Sequence, residues 1–104
     1  MGPNVIDLQY IADCLPEEIL LDQLVEECTE LAQAASKVAR INRKVNPART
    51  TMEDATANLK EEIADIWLVL KVLGLDDELF TEEYQEIMDR KAKRWAHDLE
   101  NAEG

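Results

Sequence analysis

Two groups of carboxylates are the residues of this chain best suited to chemistry. The first is Glu26-Glu27-Cys28-Thr29-Glu30, the second Glu61-Glu62-Ile63-Ala64-Asp65. On a helix, residues three or four apart share a face. Glu27 with Glu30, Glu26 with Glu30, and Glu62 with Asp65 therefore stand side by side. Like charges so placed destabilise an isolated helix by about 0.2–0.5 kcal/mol per pair, and no basic residue between Pro16 and Ser36 offsets them. A solvated acidic face would account for Glu26, Glu27 and Glu30 taken alone. It does not account for Asp65, which sits beside Ala64, Ile66 and Trp67 in the most apolar segment of the chain. Asp is a poor residue for a helix interior, and burying an unpaired carboxylate is costly. Asp65 calls for a cation or a hydrogen-bond donor.

If the two acidic helices pack antiparallel, the pairs meet, and four converging carboxylates repel unless a divalent ion neutralises them. Helical bundles build metal sites in this way, from side chains on facing helices. An all-oxygen donor set favours Mg²⁺, Mn²⁺ or Ca²⁺. The di-iron carboxylate pattern needs Glu-x-x-His repeats, and the one histidine, His97, is far from any such spacing. Zinc is set aside for the same reason. An EF-hand needs alternating acids in a glycine-centred loop, whereas these acids lie on helical segments. Mg²⁺ holding a polyphosphate fits best, because Mg²⁺ characteristically combines a few carboxylates with substrate phosphates.

The elements that must position these groups read as helices. Residues 4–13 form a short first segment. Pro16 opens a long helix, suited to the first helical position, which runs to about residue 43. Leu20, Leu24, Cys28, Leu31, Ala35, Val38 and Ile41 recur along it in steps of three and four, an amphipathic stripe. A loop spans Asn42 to Thr51 around Asn46-Pro47. Thr51-Met52-Glu53-Asp54 then matches a capping box. The third helix turns Leu59, Ile63, Ile66, Leu70 and Leu73 to a core and ends at Gly74, a suitable C-cap. The last helix starts near Asp77 or Thr81, carries Tyr84, Ile87, Met88, Trp95 and Leu99 on one side, and frays over residues 101–104. Trp67, Trp95, Met52 and Met88 are expected in the core, with stacking on a base the alternative for the tryptophans. Cys14 and Cys28 are expected as small core hydrophobes. The expected fold is all-α, a single domain over residues 1–104 built as an antiparallel bundle of about four helices. A 28-residue helix is about 42 Å long at 1.5 Å per residue, too long for so small a domain to cover, so oligomerisation is expected to complete the bundle.

Composition narrows the classes further. The 104 residues suffice for one compact domain. An apolar share of 46% separates the chain from disordered acidic sequences, and three Gly and three Pro are too few for a turn-rich β-fold. Lys and Arg number 11 against 23 Asp and Glu, a net charge of −12. Such a charge repels a phosphate backbone, so nucleic acid is not an expected partner, and the chain suits cations instead. The N-terminal stretch lacks the basic region of a signal peptide, and no apolar run nears the roughly 18 residues of a membrane span. The expectation is a cytoplasmic protein, without membrane contact and with both thiols reduced.

The acids and their surroundings also resemble a known family. Glu26-Glu27-x-x-Glu30 followed by Glu62-x-x-Asp65 resembles the EExxE…ExxD signature of the MazG-like all-α nucleoside triphosphate pyrophosphohydrolases, relatives of the dimeric dUTPases and phosphoribosyl-ATP pyrophosphohydrolases. LVEECTELAQAASK and NLKEEIADIWLVL look like the second and third helices of that family, and RKAKRW looks like a Lys-x-x-Arg-Trp element of its small members. The likeness covers roughly residues 8 to 97, with an unusually long separation of the motifs around Asn46-Pro47. It implies cleavage between the α and β phosphates of a nucleoside triphosphate, giving a monophosphate and pyrophosphate, with Mg²⁺ as cofactor and Mn²⁺ able to substitute. Glu27, Glu30, Glu62 and Asp65 would be the metal ligands, the same four that the matched spacings select. Glu26 would orient a ligand or help position the water, and the proton acceptor stays open among Glu26, Glu27 and Glu61. Lys37, Arg40, Lys91 and Arg94 are the leading candidates to hold phosphate, ahead of Arg43, Lys44 and Arg49. A homodimer or homotetramer is implied. The competing readings are a non-catalytic acidic helical interaction module and a nucleotide-binding module without turnover.

Overall fold

The computed structural model describes residues 2–44, 50–77 and 81–103, and every regular element among them is an α-helix. In chain order these are α1 (Val5–Cys14), α2 (Glu17–Arg43), α3 (Met52–Leu73) and α4 (Glu82–Glu103). None is long and apolar enough to cross a membrane. The chain divides into two compact units, Met1–Gly74 and Leu75–Gly104.

Local chemistry accounts for the helix ends. The Asn4 side chain accepts a hydrogen bond from the Ile6 amide at 2.7 Å and caps α1. Leu15 is extended, with φ −115° and ψ 127°, as expected of a residue whose α-region is disfavoured by the following proline. Pro16 is the N-cap of α2 rather than its first helical residue, and its carbonyl takes the Ile19 and Leu20 amides at 3.0 and 3.2 Å. Glu17 and Glu18 occupy the first turn and Arg40 and Arg43 the last, both favourable with the helix dipole. Asn42 and Arg43 still belong to α2, and the chain leaves the helix at Lys44, in the left-handed region at φ 56°. The expected loop residues Asn46, Pro47 and Arg49 lie outside the described residues. Thr51 Oγ1 accepts from the Asp54 amide at 3.1 Å to start α3. Gly74, at φ 76°, ends it, a conformation open to glycine at no steric cost.

In the first unit α2 and α3 pack closely and α1 lies against α3. The α2–α3 pair is antiparallel: Glu30 meets Glu62, Glu27 meets Asp65, and Leu20 shares a cavity wall with Val69 and Val72. Among the described residues the buried ones are Leu20 and Ala34 on α2, and Ala55 and Val69 on α3. Small alanines let the two helices approach near the connecting loop, while Leu20 and Val69 close the seam at the far end.

Most of the expected stripe lies inward on both helices. On α2 Leu20, Leu24, Leu31, Val38 and Ile41 are covered as expected, whereas Cys28 and Ala35 are exposed. On α3 Leu59, Ile66, Leu70 and Leu73 are covered as expected, whereas Ile63 is 50% exposed. At these exceptions the preceding residues, Glu27, Ala34 and Glu62, are the covered ones. Cys14 is also exposed, so neither cysteine fills a core.

In the second unit α4 runs through Glu103, further than a frayed tail would allow, and Asn101 Nδ2 lies 3.1 Å from His97 Nε2 across its last turns. Met88, Trp95 and Leu99 line one side as expected but stay exposed, Trp95 by 71%. Trp67 of α3 is likewise 43% exposed. An apolar stripe on a helix makes a core only where another element covers it.

Candidate metal centre

The inward stripes of α2 and α3 carry the same spacing in opposite directions. Leu20, Glu27, Glu30 and Ala34 follow in steps of seven, three and four; Ala55, Glu62, Asp65 and Val69 follow in steps of seven, three and four. Because the helices are antiparallel, each acid pair faces the other, between an apolar plug at one end of the seam and a pair of alanines at the other. One carboxylate oxygen from each of Glu27, Glu30, Glu62 and Asp65 lies within 4.8 Å of all the others. All four residues are partly covered, Glu30 and Asp65 being the more open pair.

No lysine or arginine among the described residues pairs with these carboxylates. Lys93 pairs with Asp89 at 2.9 Å on α4. The consequence is visible at Glu30, whose carboxyl is held above its ordinary 4.5. The Glu27 charge is the largest cause, followed by loss of water, the charge of Glu62 and a hydrogen bond to it, and the charge of Glu26. A cation placed among the four would reverse each of the charge effects.

Two atoms sharpen this picture. Glu27 Oε2 and Glu62 Oε2 are buried and have no hydrogen-bond partner. Buried polar atoms are nearly always satisfied, and an ionised oxygen left without a partner is especially costly. Both belong to the group of four. A hard divalent cation fits this donor set, which is oxygen only. Zinc's preferred sulfur and nitrogen ligands are absent from it.

The other expected site residues distribute as follows. Glu26 is exposed on α2 and near enough to Glu30 to raise its pKa. Glu61 is exposed on α3 and does not join the four. Lys37 and Arg40 are exposed on α2, beyond Glu30 toward its C-terminus. Lys91 and Arg94 are exposed on α4, in the second unit. One participant escaped the motif reading: Gln23 Nε2 donates to Glu27 Oε1 at 2.7 Å. Its sequence signal is an amide one turn before the acid, a spacing that lets Gln and a carboxylate meet on a helix.

No family model, no curated protein and no solved structure matches the chain.

Proposed function

We propose that this chain is a Mg²⁺-dependent nucleoside triphosphate pyrophosphohydrolase that cleaves the α–β phosphoanhydride and releases a nucleoside monophosphate and pyrophosphate. The observation that carries the reading is the pair of buried, partnerless oxygens of Glu27 and Glu62 within a group of four carboxylates. Its second support is the resemblance of the two acidic motifs to those of the MazG-like enzymes. Glu27, Glu30, Glu62 and Asp65 would hold Mg²⁺, or Mn²⁺ in its place. Bound there, the cation supplies charge neutralisation for the phosphates and a lowered pKa for the attacking water.

The chain's own side chains carry the rest. A carboxylate takes the proton from water, and Glu26, Glu27 and Glu61 are the candidates for that role. Lys37 lies seven residues beyond Glu30 on α2, about 10 Å along the axis, and Arg40 follows it within a turn. Both can neutralise phosphate extending along the helix from the cation. Lys91 and Arg94 are further phosphate-binding candidates, and Asp89 already engages the neighbouring Lys93. A role in clearing surplus or non-canonical nucleotides suits this activity, and a cytoplasmic location suits two unpaired thiols.

A homo-oligomer, dimer or tetramer, completes the helical bundle in this reading. Ile63 and Trp67, one turn apart on α3, together with Leu21 and Val25 on α2, leave 40% or more of their surface open. A second copy covering them would regain apolar burial at about 25 cal/mol per Å². Light scattering of the purified chain should give a mass of at least two protomers, and a one-chain mass at micromolar concentration would remove this part of the proposal.

The activity is tested by following pyrophosphate release from canonical, deoxy and modified nucleoside triphosphates, with Mg²⁺ and with EDTA. Release that requires Mg²⁺ is expected from at least one member of the panel. Absence of release from every member by folded protein would favour a non-catalytic helical module instead.

A further inference from the structure

The carboxylate of Glu27 divides its two oxygens between different tasks. Oε1 accepts the Gln23 Nε2 hydrogen bond at 2.7 Å, while Oε2 is buried without a partner among the acids. A carboxylate has no proton to give, so the Gln23 amide must turn its N–H toward Glu27. The bond itself is solvent-exposed. Gln23 and Glu27 stand with Asp65 on the wall of an open cavity of about 220 Å³ whose other lining includes Leu20, Leu68 and Val72. The seven-residue step from Leu20 to Glu27 sets the acid in the seam; the four-residue step from Gln23 to Glu27 sets which of its oxygens remains available there.

We propose that Gln23 is a positioning residue of the cation site: its amide holds Glu27 so that Oε2 alone is presented to the metal. This rests on the reading of the four carboxylates as a cation site. Without the amide, Glu27 is free to rotate about its last torsion and to take the cation with both oxygens or neither. The affinity and the number of waters retained by the ion then change together. Groups that hydrogen-bond a ligating carboxylate typically alter metal affinity about 10–100-fold when removed. A Gln–Glu pair one turn apart contributes little to helix stability itself, so the fold is not expected to notice the loss.

The test uses the full chain with Mn²⁺ alone as probe. Free Mn²⁺ is counted by electron paramagnetic resonance, and water-proton relaxation reports the waters left on the bound ion. Gln23→Leu and Gln23→Met both remove the donor, the second with an unbranched chain of similar length. The expected result is Mn²⁺ affinity weakened about 10–100-fold, altered hydration of the bound ion, and melting in EDTA that matches the original chain. Original affinity and hydration in both variants would overturn the role of Gln23 and leave the cation site standing. An affinity loss matched by a fall in EDTA melting temperature in both variants would assign Gln23 to the fold and overturn it too. If the unaltered chain binds no Mn²⁺, the site and the role of Gln23 fail together.

Discussion

Asp65→Asn is expected to lower Mg²⁺-dependent pyrophosphate release by more than about 100-fold, since even residues that only orient metal ligands cost about 10–100-fold when removed. The same substitution is expected to leave the protein in EDTA at least as stable as before. The two expectations share a cause. Asp65 lies within 4.8 Å of three other carboxylates and has no basic partner among the described residues. Asn keeps its shape and removes its charge, so the variant relieves repulsion while subtracting a ligand. A residue kept for the fold behaves oppositely, because removing one member of a satisfied buried pair strands the other at a cost of about 3–5 kcal/mol. Paired assays of activity with Mg²⁺ and of melting in EDTA separate these cases. Retained turnover would remove Asp65 from the site, and a large fall in EDTA melting temperature would give it a structural partner instead.

How much of this was legible without coordinates differs between the helices and the site. The helix starts at Asn4, Pro16 and Thr51 and the stop at Gly74 are written in residues whose backbone preferences act locally, and the helices begin and end within a residue or two of them. The four metal-ligand candidates were legible because an i,i+3 spacing survives any rotation of the helix about its axis. Which members of each stripe would be displaced was not. Treating apolar residues as inward placed most of the covered positions of α2 and α3, but also Cys28 and Ile63, whereas the packing covers Glu27 and Glu62 in their stead. The departure is informative, since a covered carboxylate forgoes the apolar burial its neighbour would have brought. Where local preference and packing disagree, function is the usual reason. Gln23 was within reach of its four-residue spacing to Glu27, whereas the cavity beside it was not legible because its wall takes residues from three helices.

The response of stability to pH should change sign when Mg²⁺ is added. In EDTA, the folded chain holds the Glu30 proton more tightly than the unfolded chain does, because the folded pKa is raised above 4.5, chiefly by the Glu27 charge. A group with a raised folded pKa favours the fold fully below its unfolded value, and that contribution is lost as pH rises through the folded one. Melting temperature in EDTA should therefore decline as pH climbs from about 4.5 through the raised value. Metal binding requires the ligands deprotonated, so the increment produced by Mg²⁺ should grow over the same interval. A ligand at 100 times its dissociation constant adds about 2.7 kcal/mol, and each kcal/mol moves the melting point of a 60–100-residue domain by about 4–8 °C. A rise of about 10–20 °C is the expected scale near neutral pH. General repulsion among 23 acidic residues also grows with pH, so Glu30→Gln is the control: its EDTA profile should be flatter than that of the original chain, with the Mg²⁺ increment much reduced. Parallel profiles in EDTA for the two proteins would show that Glu30 does not feel its neighbours. An Mg²⁺ increment that persists undiminished in the variant would remove Glu30 from the ligands of the cation.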